Sequence, residues 1–458
     1  MKVIVCGAGQ VGFNIARYLA LESNDVTVID QSPDLVRRIS NTLDVKGVVG
    51  QASFPDVLER AGAEDAEVLI AVTAYDEVNM VACEVAHTLF GVPTKIARVR
   101  RQNYLARMWG DLFSRNGIPI DVTISPELEV AKAVTRRLQL PGAFEMIPFI
   151  DDKIKLVGVR CENDCPLINT PLRQLTQLFP DLNIVVVCIS RNNKPIVPAA
   201  DDQMLAGDEV YFVVESEKIS RAMAAFGHEE TEARRLLIFG GGNIGLSLAQ
   251  DIESNYPWVN AKLIEMDADK AAHAAERLER TMVLRGDVLD KEILEEANVG
   301  ITETVIAVTN DDETNILSAL LAKHAGCQRV MVLINNAAYE PLITTLGIDV
   351  VVVPRSITVS TILQHVRRGR IHAVHTLREG FGELIELEAL ETSTVVGNTV
   401  REANLPSGVI VASIERKGQI LFPRSDTVFE AGDRVVVFAA PDVVRKVEKL
   451  FSVSIGYF

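Results

Sequence analysis

The sequence is short of three things: cysteine, long apolar runs and basic charge. Its 458 residues include only six cysteines, which favours a reducing compartment over a disulfide-stapled secreted domain. No stretch approaches the ~20 apolar residues needed to cross a bilayer. The apolar start of the chain is followed by no small-residue cleavage site, so we expect no signal peptide. These shortages predict a soluble, cytoplasmic protein without direct membrane insertion.

Acidic residues outnumber basic residues by 62 to 46, which gives a formal net charge of −16. Duplex nucleic acid is bound mainly by neutralising its phosphates with Lys and Arg, so no nucleic-acid partner is expected. Anionic lipid likewise attracts clustered basic residues. Apolar residues make up 48% of the chain, which is typical of a globular protein and excludes disorder.

An internal repeat organises the chain. Residues 2–12 (KVIVCGAGQVG) recur at residues 235–245 as RLLIFGGGNIG. Residues 71–79 (AVTAYDEVN) recur at residues 307–315 as AVTNDDETN, with six of the nine positions identical. Because these landmarks come in the same order and at similar offsets, they indicate a tandem duplication.

Each half begins with alternating strand and helix patterns and then changes to short β runs broken by Pro, Asn and Gly-Asp turns. Such alternation is typical of a doubly wound parallel sheet. We therefore expect an α/β fold of two tandem Rossmann-type domains, each followed by a small α+β lobe. The expected borders are residues 1–140, 141–228, 233–370 and 371–458.

The first repeated turn follows a strand pattern and opens a helix pattern. Gly7 permits a tight turn, Gly9 lets a pyrophosphate approach the backbone, and Gly12 allows close helix–strand packing. Asp30 ends the next strand pattern, where its carboxylate can accept hydrogen bonds from ribose hydroxyls. Its negative charge would repel the 2′-phosphate of NADP. We expect a site for NAD(H) rather than NADP. The candidate residues are Gly7, Ala8, Gly9, Gln10, Val11, Gly12 and Asp30.

The second copy of the turn reads GGGNIG and is followed by Glu265 at the end of the next strand pattern. Glutamate is longer than aspartate but can still bridge two ribose hydroxyls. Duplicated domains often lose a ligand while keeping the fold, so a tight turn without a ligand is the alternative. The candidate residues are Gly240, Gly241, Gly242, Asn243, Ile244, Gly245 and Glu265.

Further candidates lie at the expected ends of other strands. A hydroxyl or a backbone N–H there can reach a nucleotide, and an arginine can meet a phosphate. Counting from matched glycines makes Leu333 the counterpart of Arg98, so we expect the two sites to differ in affinity or ligand. These candidates are Thr73, Ala74 and Arg98 in the first half, and Thr309 and Asn310 in the second.

No catalytic residue and no metal site are predicted. His372 and His375 form an H-x-x-H pattern with no third ligand close in sequence, so we interpret them as surface or lobe-contact residues. An NAD-dependent dehydrogenase is an alternative function, because the same fold and fingerprint serve it; it would need an acid–base pair that the sequence does not single out. A redox-sensing Rossmann regulator is a second alternative, although neither a helix-turn-helix pattern nor a basic surface is evident.

The whole chain resembles the TrkA family, the nucleotide-binding subunits of bacterial Trk potassium uptake systems, which carry two tandem RCK (KTN) modules. The resemblance rests on the GAGQVG turn with Asp30 and on AVT-x-x-DE-x-N in both halves. It also rests on the string R-x6-P-x-x-D-x5-G-D in both small lobes, from Arg191 to Asp208 and from Arg416 to Asp433.

This resemblance implies a cytoplasmic regulatory subunit that gates a membrane potassium translocator of the TrkH/TrkG type in response to NAD(H) or to ATP or ADP. It implies a homo-oligomer, either a dimer or a tetrameric ring, held peripherally at the inner membrane through that partner. Many family modules carry Gly-Asp-Ala after the third strand. The second half has Asp287 at this position and the first half has Gln51, so both are candidate contacts and the ligand preference of the first site is open.

Overall fold

We analysed a computed structural model of the chain, which describes residues 1–22, 24–105, 107–113, 117–178, 182–230, 232–343, 346–366, 371–378 and 380–452. The chain divides into two compact units. The first comprises Met1–Ala131 and Val353–Val366, and the second comprises Lys132–Val352 and Arg367–Phe458. Within the described ranges, no helix is long and apolar enough to cross a membrane.

The first unit is built on one parallel sheet. Its strands are β1 (Lys2–Cys6), β2 (Asp25–Asp30), β3 (Lys46–Val49), β4 (Val68–Ala71), β5 (Thr94–Arg98) and β6 (Val122–Ile124). Its helices are α1 (Gln10–Leu21), α2 (Pro33–Thr42), α3 (Pro55–Ala61), α4 (Asp76–Thr88) and the first turns of α5 (Pro126–Leu138). The strand order β3-β2-β1-β4-β5-β6 is that of a Rossmann fold.

Local sequence explains these elements. Strands β1 and β4 are nearly continuous apolar runs, because helices cover both faces of a parallel sheet. Helix α2 begins at Pro33, and the hydroxyl of Ser32 caps it by accepting the Leu35 N–H at 3.4 Å. Helix α5 begins at Pro126, and proline suits the first turn of a helix because its missing N–H is not needed there. The hydroxyl of Ser125, the preceding residue, has no hydrogen-bond partner among the described residues and does not cap the helix.

The second unit opens with the first small lobe. Its strands are β7 (Ala143–Phe149), β8 (Ile154–Arg160), β9 (Val185–Arg191), β10 (Lys194–Ile196) and β11 (Glu209–Glu215), and its helices are α6 (Leu172–Leu178) and α7 (Ile219–Ala225). The strands form an antiparallel sheet in the order β10-β9-β11-β8-β7.

A second parallel sheet follows in the same unit. Its strands are β12 (Arg235–Phe239), β13 (Asn260–Glu265), β14 (Met282–Arg285), β15 (Thr304–Ala307), β16 (Arg329–Leu333) and β17 (Val350–Val352). Its helices are α8 (Asn243–Asn255), α9 (Ala268–Arg277), α10 (Lys291–Glu296), α11 (Asp312–His324) and α12 (Glu340–Ile343). The order β14-β13-β12-β15-β16-β17 repeats that of the first sheet.

Helix α13 (Pro354–Val366) follows β17 in sequence but belongs to the first unit. Its Val359, Ile362 and Leu363 are buried in one apolar cluster with Val3 of β1 and Ile15 of α1. The second half of the sequence therefore supplies a helix to the core of the first Rossmann sheet.

The second small lobe completes the chain with β18 (Ile371–Thr376), β19 (Glu383–Glu388), β20 (Val409–Arg416), β21 (Gln419–Leu421), β22 (Arg434–Ala439) and α14 (Val444–Phe451). Its order β18-β19-β22-β20-β21 matches that of the first lobe. Short 3-10 turns lie at Ala63–Asp65, Gln102–Leu105, Arg107–Phe113, Ser216–Lys218, Val299–Ile301 and Ala337–Tyr339. The predicted fold class is confirmed, whereas the four predicted domain borders stay a prediction.

A buried arginine–aspartate pair holds each small lobe together and explains the repeated R-x6-P-x-x-D-x5-G-D string. Two nitrogens of Arg191 donate to Asp208 at 2.9 and 2.8 Å. Arg416 donates to Asp433 in the same way, at 2.8 and 2.8 Å. Asp433 is only 1% exposed and also accepts the Glu430 N–H at 2.9 Å. The first and last residues of the string therefore form a pair that stabilises the fold of each small lobe.

This pair generates a stability prediction. Replacing Asp433 by Ala removes the buried carboxylate that pairs with Arg416, which keeps only the exposed Glu430 and the Val428 carbonyl, and leaves the Glu430 N–H without its acceptor. We therefore expect the second lobe to lose about 2–4 kcal/mol of unfolding free energy. The other aspartate of the string, Asp426, is exposed, and Asp426→Ala should change stability by less than ~0.5 kcal/mol. Hydrogen exchange of β20 and β22 in the full chain measures both variants. Equal protection in the two variants would contradict this role.

Candidate functional site

The first glycine turn is shaped by two close backbone approaches. Gly7 has a φ of 113°, in the left-handed region that favours glycine. Its N–H donates to the Ile29 carbonyl at 2.7 Å, which ties the turn to β2. A Cβ added at Gly12 would lie 1.8 Å from the Gly7 carbonyl oxygen. Gly7 and Gly12 are therefore required by the turn itself.

Gly9 has a different role, because a Cβ added there would meet nothing within 4 Å. Gly9 is the N-cap of α1, and within the described chain no side chain caps this helix end. The first N–H groups of a helix and its dipole together attract an anion. The turn therefore offers open space and backbone donors where a pyrophosphate is predicted.

Asp30 connects the turn to the next helix. One carboxylate oxygen accepts the Ala8 N–H at 2.7 Å, and the other accepts the Ser32 N–H at 2.8 Å. Each carboxylate oxygen has two acceptor sites, so each can still accept a ribose hydroxyl. Asp30 therefore holds the turn through two hydrogen bonds within the chain, which the sequence alone did not indicate.

The second turn reproduces this geometry. Gly240 has a φ of 102°. A Cβ added at Gly245 would lie 1.9 Å from the Gly240 carbonyl oxygen. Glu265 accepts the Gly241 N–H at 2.6 Å and the Asp267 N–H at 2.9 Å. A Cβ at Gly242 would meet nothing within 4 Å. The second site is thus built on the same frame, with glutamate replacing aspartate.

Two fully buried asparagines, missed by the sequence analysis, brace the strand ends. Asn79 accepts the backbone N–H and the hydroxyl of Thr73 at 2.9 and 2.7 Å, and its amide donates to the Arg98 carbonyl at 2.9 Å. Asn315 does the same for Thr309, at 2.8 and 2.7 Å. Their identical position in the repeated AVT-x-x-DE-x-N string was the available signal.

Two buried aspartates fix the segments that follow β5 and β16. Asp76 accepts the backbone N–H groups of Arg100 and Arg101, at 3.0 and 2.8 Å. Asp312 accepts those of Asn335 and Asn336, at 2.9 and 2.8 Å. The Arg100 Nε also donates to Glu127 in the first turn of α5, at 2.9 Å. This chain of contacts joins the rim of the first site to α5.

Arg98 is the main chemical difference between the two sites. The Asn315 amide donates to the Leu333 carbonyl at 3.0 Å, as the Asn79 amide does to that of Arg98, so Leu333 occupies the position of Arg98. Leu333 is buried and apolar. Burial lowers the pKa of Arg98, aided by the neighbouring Arg100 charge. Among the described residues, the Arg98 Nε finds no hydrogen-bond partner.

The remaining candidates follow the carboxyl ends of strands in the same two sheets. Gln51 lies after β3 and Asp287 after β14, and the Asp287 carboxylate accepts the Leu289 N–H at 2.9 Å. Ala74 and Asn310 are exposed beside the braced threonines. In each half the structure thus brings the candidates to the carboxyl edge of one parallel sheet, where open α/β sheets bind ligands. Their contact with a nucleotide stays a prediction.

Family models match most of the chain. The TrkA-N domain matches residues 3–126 and 236–354, and the TrkA-C domain matches residues 156–227 and 384–452. The Trk system potassium uptake protein TrkA of Azorhizobium caulinodans is 51% identical over 458 residues, covering 100% of both chains. The protein of the same name from Halomonas elongata is 42% identical over 462 residues, again covering 100% of both.

Solved structures share the fold at low identity. The GsuK RCK domain aligns with a TM-score of 0.60 and 17% identity, covering 98% of this chain and 94% of its own. The GsuK channel bound to NAD aligns with a TM-score of 0.60 and 16% identity, covering 98% and 78%. These likenesses show the fold, while the family models and the full-length relatives show the lineage. The chain belongs to the TrkA family.

Proposed function

We propose that this chain is a non-enzymatic regulatory subunit that binds NAD(H), or ATP or ADP, and gates a membrane potassium translocator of the Trk type. The observation that carries the proposal is the duplicated site: two preformed glycine turns, each with an uncapped helix N-terminus and a carboxylate at the next strand end. The names of the full-length relatives support the link to potassium uptake. The GsuK channel, which shares the fold, has been solved with NAD, and this supports NAD(H) as a ligand.

In this proposal the ligand acts by shifting a conformational equilibrium. A ligand can shift such an equilibrium only by its difference in affinity for the two states. The phosphate of a ligand on Arg98 would change the balance of charge around Arg100 and Glu127, which are paired at 2.9 Å. Because Glu127 lies in the first turn of α5, movement there would pass along the helix into the first small lobe. The second half has Leu333 and Asn335 at these positions, so the two halves contribute unequally.

The partner is proposed to be the cytoplasmic face of a TrkH/TrkG-type translocator, contacted by a homo-oligomer of this chain. A dimer or a tetrameric ring would place several Rossmann domains against one translocator. The subunit would then be cytoplasmic and peripheral to the inner membrane through this contact. Light scattering at micromolar concentration tests the assembly, and a strictly monomeric mass would count against the proposal.

Gly9 and Gly242 provide matched probes of the two sites. A valine at either position fits the open space seen around these glycines, so folding should be unchanged while the side chain blocks the pyrophosphate. We expect Gly9→Val and Gly242→Val each to weaken binding at its own site by at least about 30-fold, or ~2 kcal/mol. Calorimetry with NADH, NAD, ATP and ADP on the full chain measures this.

Two further variants control that experiment. Gly12→Val should destabilise the fold, because its Cβ would clash with the Gly7 carbonyl. Asp30→Ala should also abolish binding at the first site, but Asp30 holds the turn through Ala8 and Ser32, so the glycine variants are cleaner. Normal NADH binding by the Gly9→Val/Gly242→Val double variant would place the ligand elsewhere.

The substitution Arg98→Leu gives the first site the residue that the second site has at the equivalent position, Leu333. The substitution removes a buried charge, so we expect normal folding and a loss of at least about tenfold in affinity for phosphate-rich ligands at the first site. Arg98→Lys keeps the charge and should lose less. Affinities measured by calorimetry in the Gly242→Val background isolate the first site. Unchanged ATP and NADH affinity in Arg98→Leu would remove Arg98 from the site.

Potassium uptake tests the function itself. Cells that carry Gly9→Val or Gly242→Val in place of the wild-type chain should show altered uptake and altered response to nucleotide, to unequal extents. Rubidium flux through the translocator reconstituted with the purified chain measures the response directly. Wild-type flux and response in both variants would refute gating by these sites. Steady consumption of NADH with a small substrate would instead support the dehydrogenase alternative.

A further inference from the structure

The two small lobes of one chain contact each other through equivalent surfaces. Phe149 and Tyr211 of the first lobe and Leu384 and Phe438 of the second are buried in a single apolar cluster. The second residue of the β7–β8 turn, Asp151, reaches strand β22 of the other lobe. The second residue of the β18–β19 turn, Arg378, reaches strand β11. The contact is therefore reciprocal, like that of a twofold dimer.

A charged contact lies at each end of this interface, and in each contact the two side chains carry opposite charges. Asp151 of the first lobe pairs with Arg434 at 2.5 Å. Arg378 of the second lobe pairs with Glu209, with contacts of 2.5 and 2.9 Å. Glu209 and Arg434 are equivalent positions, since each begins the central strand of its lobe opposite equivalent neighbours. Within its own lobe, Glu209 also pairs with Arg160 at 2.9 Å, and Arg434 also pairs with Glu386. In the two contacts between the lobes, however, the acidic side chain belongs to the first lobe and the basic side chain to the second.

We infer that these four residues determine which lobes pair: Asp151 and Glu209 of the first lobe accept Arg434 and Arg378 of the second, and they reject a second copy of the first lobe. In a pair of two first lobes, Asp151 of each copy would meet Glu209 of the other. In a pair of two second lobes, Arg378 would meet Arg434 twice. Like charges brought together in this way are strongly unfavourable.

The surroundings of these groups make the charge pattern effective. The Glu209 and Arg434 side chains are 7% and 24% exposed, whereas their partners Arg378 and Asp151 are 38% and 76% exposed. Solvent therefore screens the Arg378–Glu209 contact less than the Asp151–Arg434 contact. The Phe144 ring lies 5.6 Å from the Arg378 guanidinium and favours its positive charge. The hydrogen bond to Arg434 lowers the pKa of Asp151, which is consistent with an ionised carboxylate in this contact. The side chains of the apolar centre carry no charge that distinguishes one lobe from the other.

A third contact agrees with this assignment. Lys153 of the first lobe lies 3.5 Å from Glu415 on β20 of the second. The first-lobe position equivalent to Glu415 is Ser190, because each pairs with the first residue of the central strand. A pair of two first lobes would therefore also leave Lys153 without a carboxylate. This contact gives the pairing a chemical readout, since a carbodiimide joins an adjacent amine and carboxylate.

The test exchanges the charges of the two turn residues in the full chain. In the double variant Asp151→Arg/Arg378→Glu, both contacts between unlike lobes become repulsive, while both contacts between like lobes become attractive. We expect the Lys153–Glu415 cross-link within one chain to fall by at least about tenfold. Like lobes of different chains should then pair, so the mass measured by light scattering should rise with concentration. Mixed heavy and light isotope-labelled chains separate cross-links within a chain from those between chains.

Matched variants distinguish charge from structure. Asp151→Ala/Arg378→Ala removes both contacts without creating new ones, so it should weaken the cross-link without the concentration-dependent rise in mass. Because Asp151 has a φ of 52°, the alanine variant also matches the backbone strain of Asp151→Arg. Asp151→Glu/Arg378→Lys should behave as the wild type. Arg378→Glu alone, which avoids the strained position, should pair second lobes between chains and so carries the test if Asp151→Arg misfolds.

Two results would overturn the inference. One is a charge-exchanged variant that keeps the wild-type cross-link yield and mass. The other is a charge-exchanged variant, or Arg378→Glu alone, that associates no more than the alanine variant does. Either would show that packing of the apolar centre selects the pairing and that the charges only accompany it.

Discussion

Each Rossmann half of this chain depends on one carboxylate at the end of its second strand. Asp30 and Glu265 each accept one N–H from the glycine turn and one from the start of the following helix. The carboxylate thereby fixes two loops against each other and aims the helix N-terminus at open space. The same group that builds the site is the one predicted to hold the ribose.

The two halves share the backbone arrangement of the site but differ in one of the side chains that border it. Asn79 and Asn315 hold the ends of two neighbouring strands in the same way, which keeps the backbones of the two sites equivalent. The side chain that follows differs, with a charged Arg98 in one half and an apolar Leu333 in the other. Backbone bracing by a buried amide is costly to lose, because its partners would be left unpaired. A side chain next to that network can change without disturbing it, so the two sites can share one backbone arrangement and still differ in charge.

The two small lobes likewise share their internal contacts and differ in the charges on the surface where they meet. Inside each lobe, the arginine–aspartate pair is the same, because breaking a buried pair leaves an uncompensated charge. On the shared interface, equivalent positions carry opposite charges, Glu209 against Arg434. An ancestral pair of identical lobes would have needed a self-complementary surface. Two copies in one chain need not be self-complementary, and here their surfaces form a matched pair in which Asp151 meets Arg434 and Arg378 meets Glu209.

The sequence by itself determined the α/β fold class, the duplication, both glycine turns with their acids, and the correspondence of Arg98 with Leu333. These features are local, because strand and helix periods, turn glycines and short spacings are all expressed within a few dozen residues. Only the tertiary structure decided that α13 belongs to the core of the first unit, that Asn79 and Asn315 brace the sites, and that Asp151 meets Arg434 across 283 positions of sequence. Such contacts depend on how distant segments pack, and periodicity or spacing along the chain carries no record of that packing.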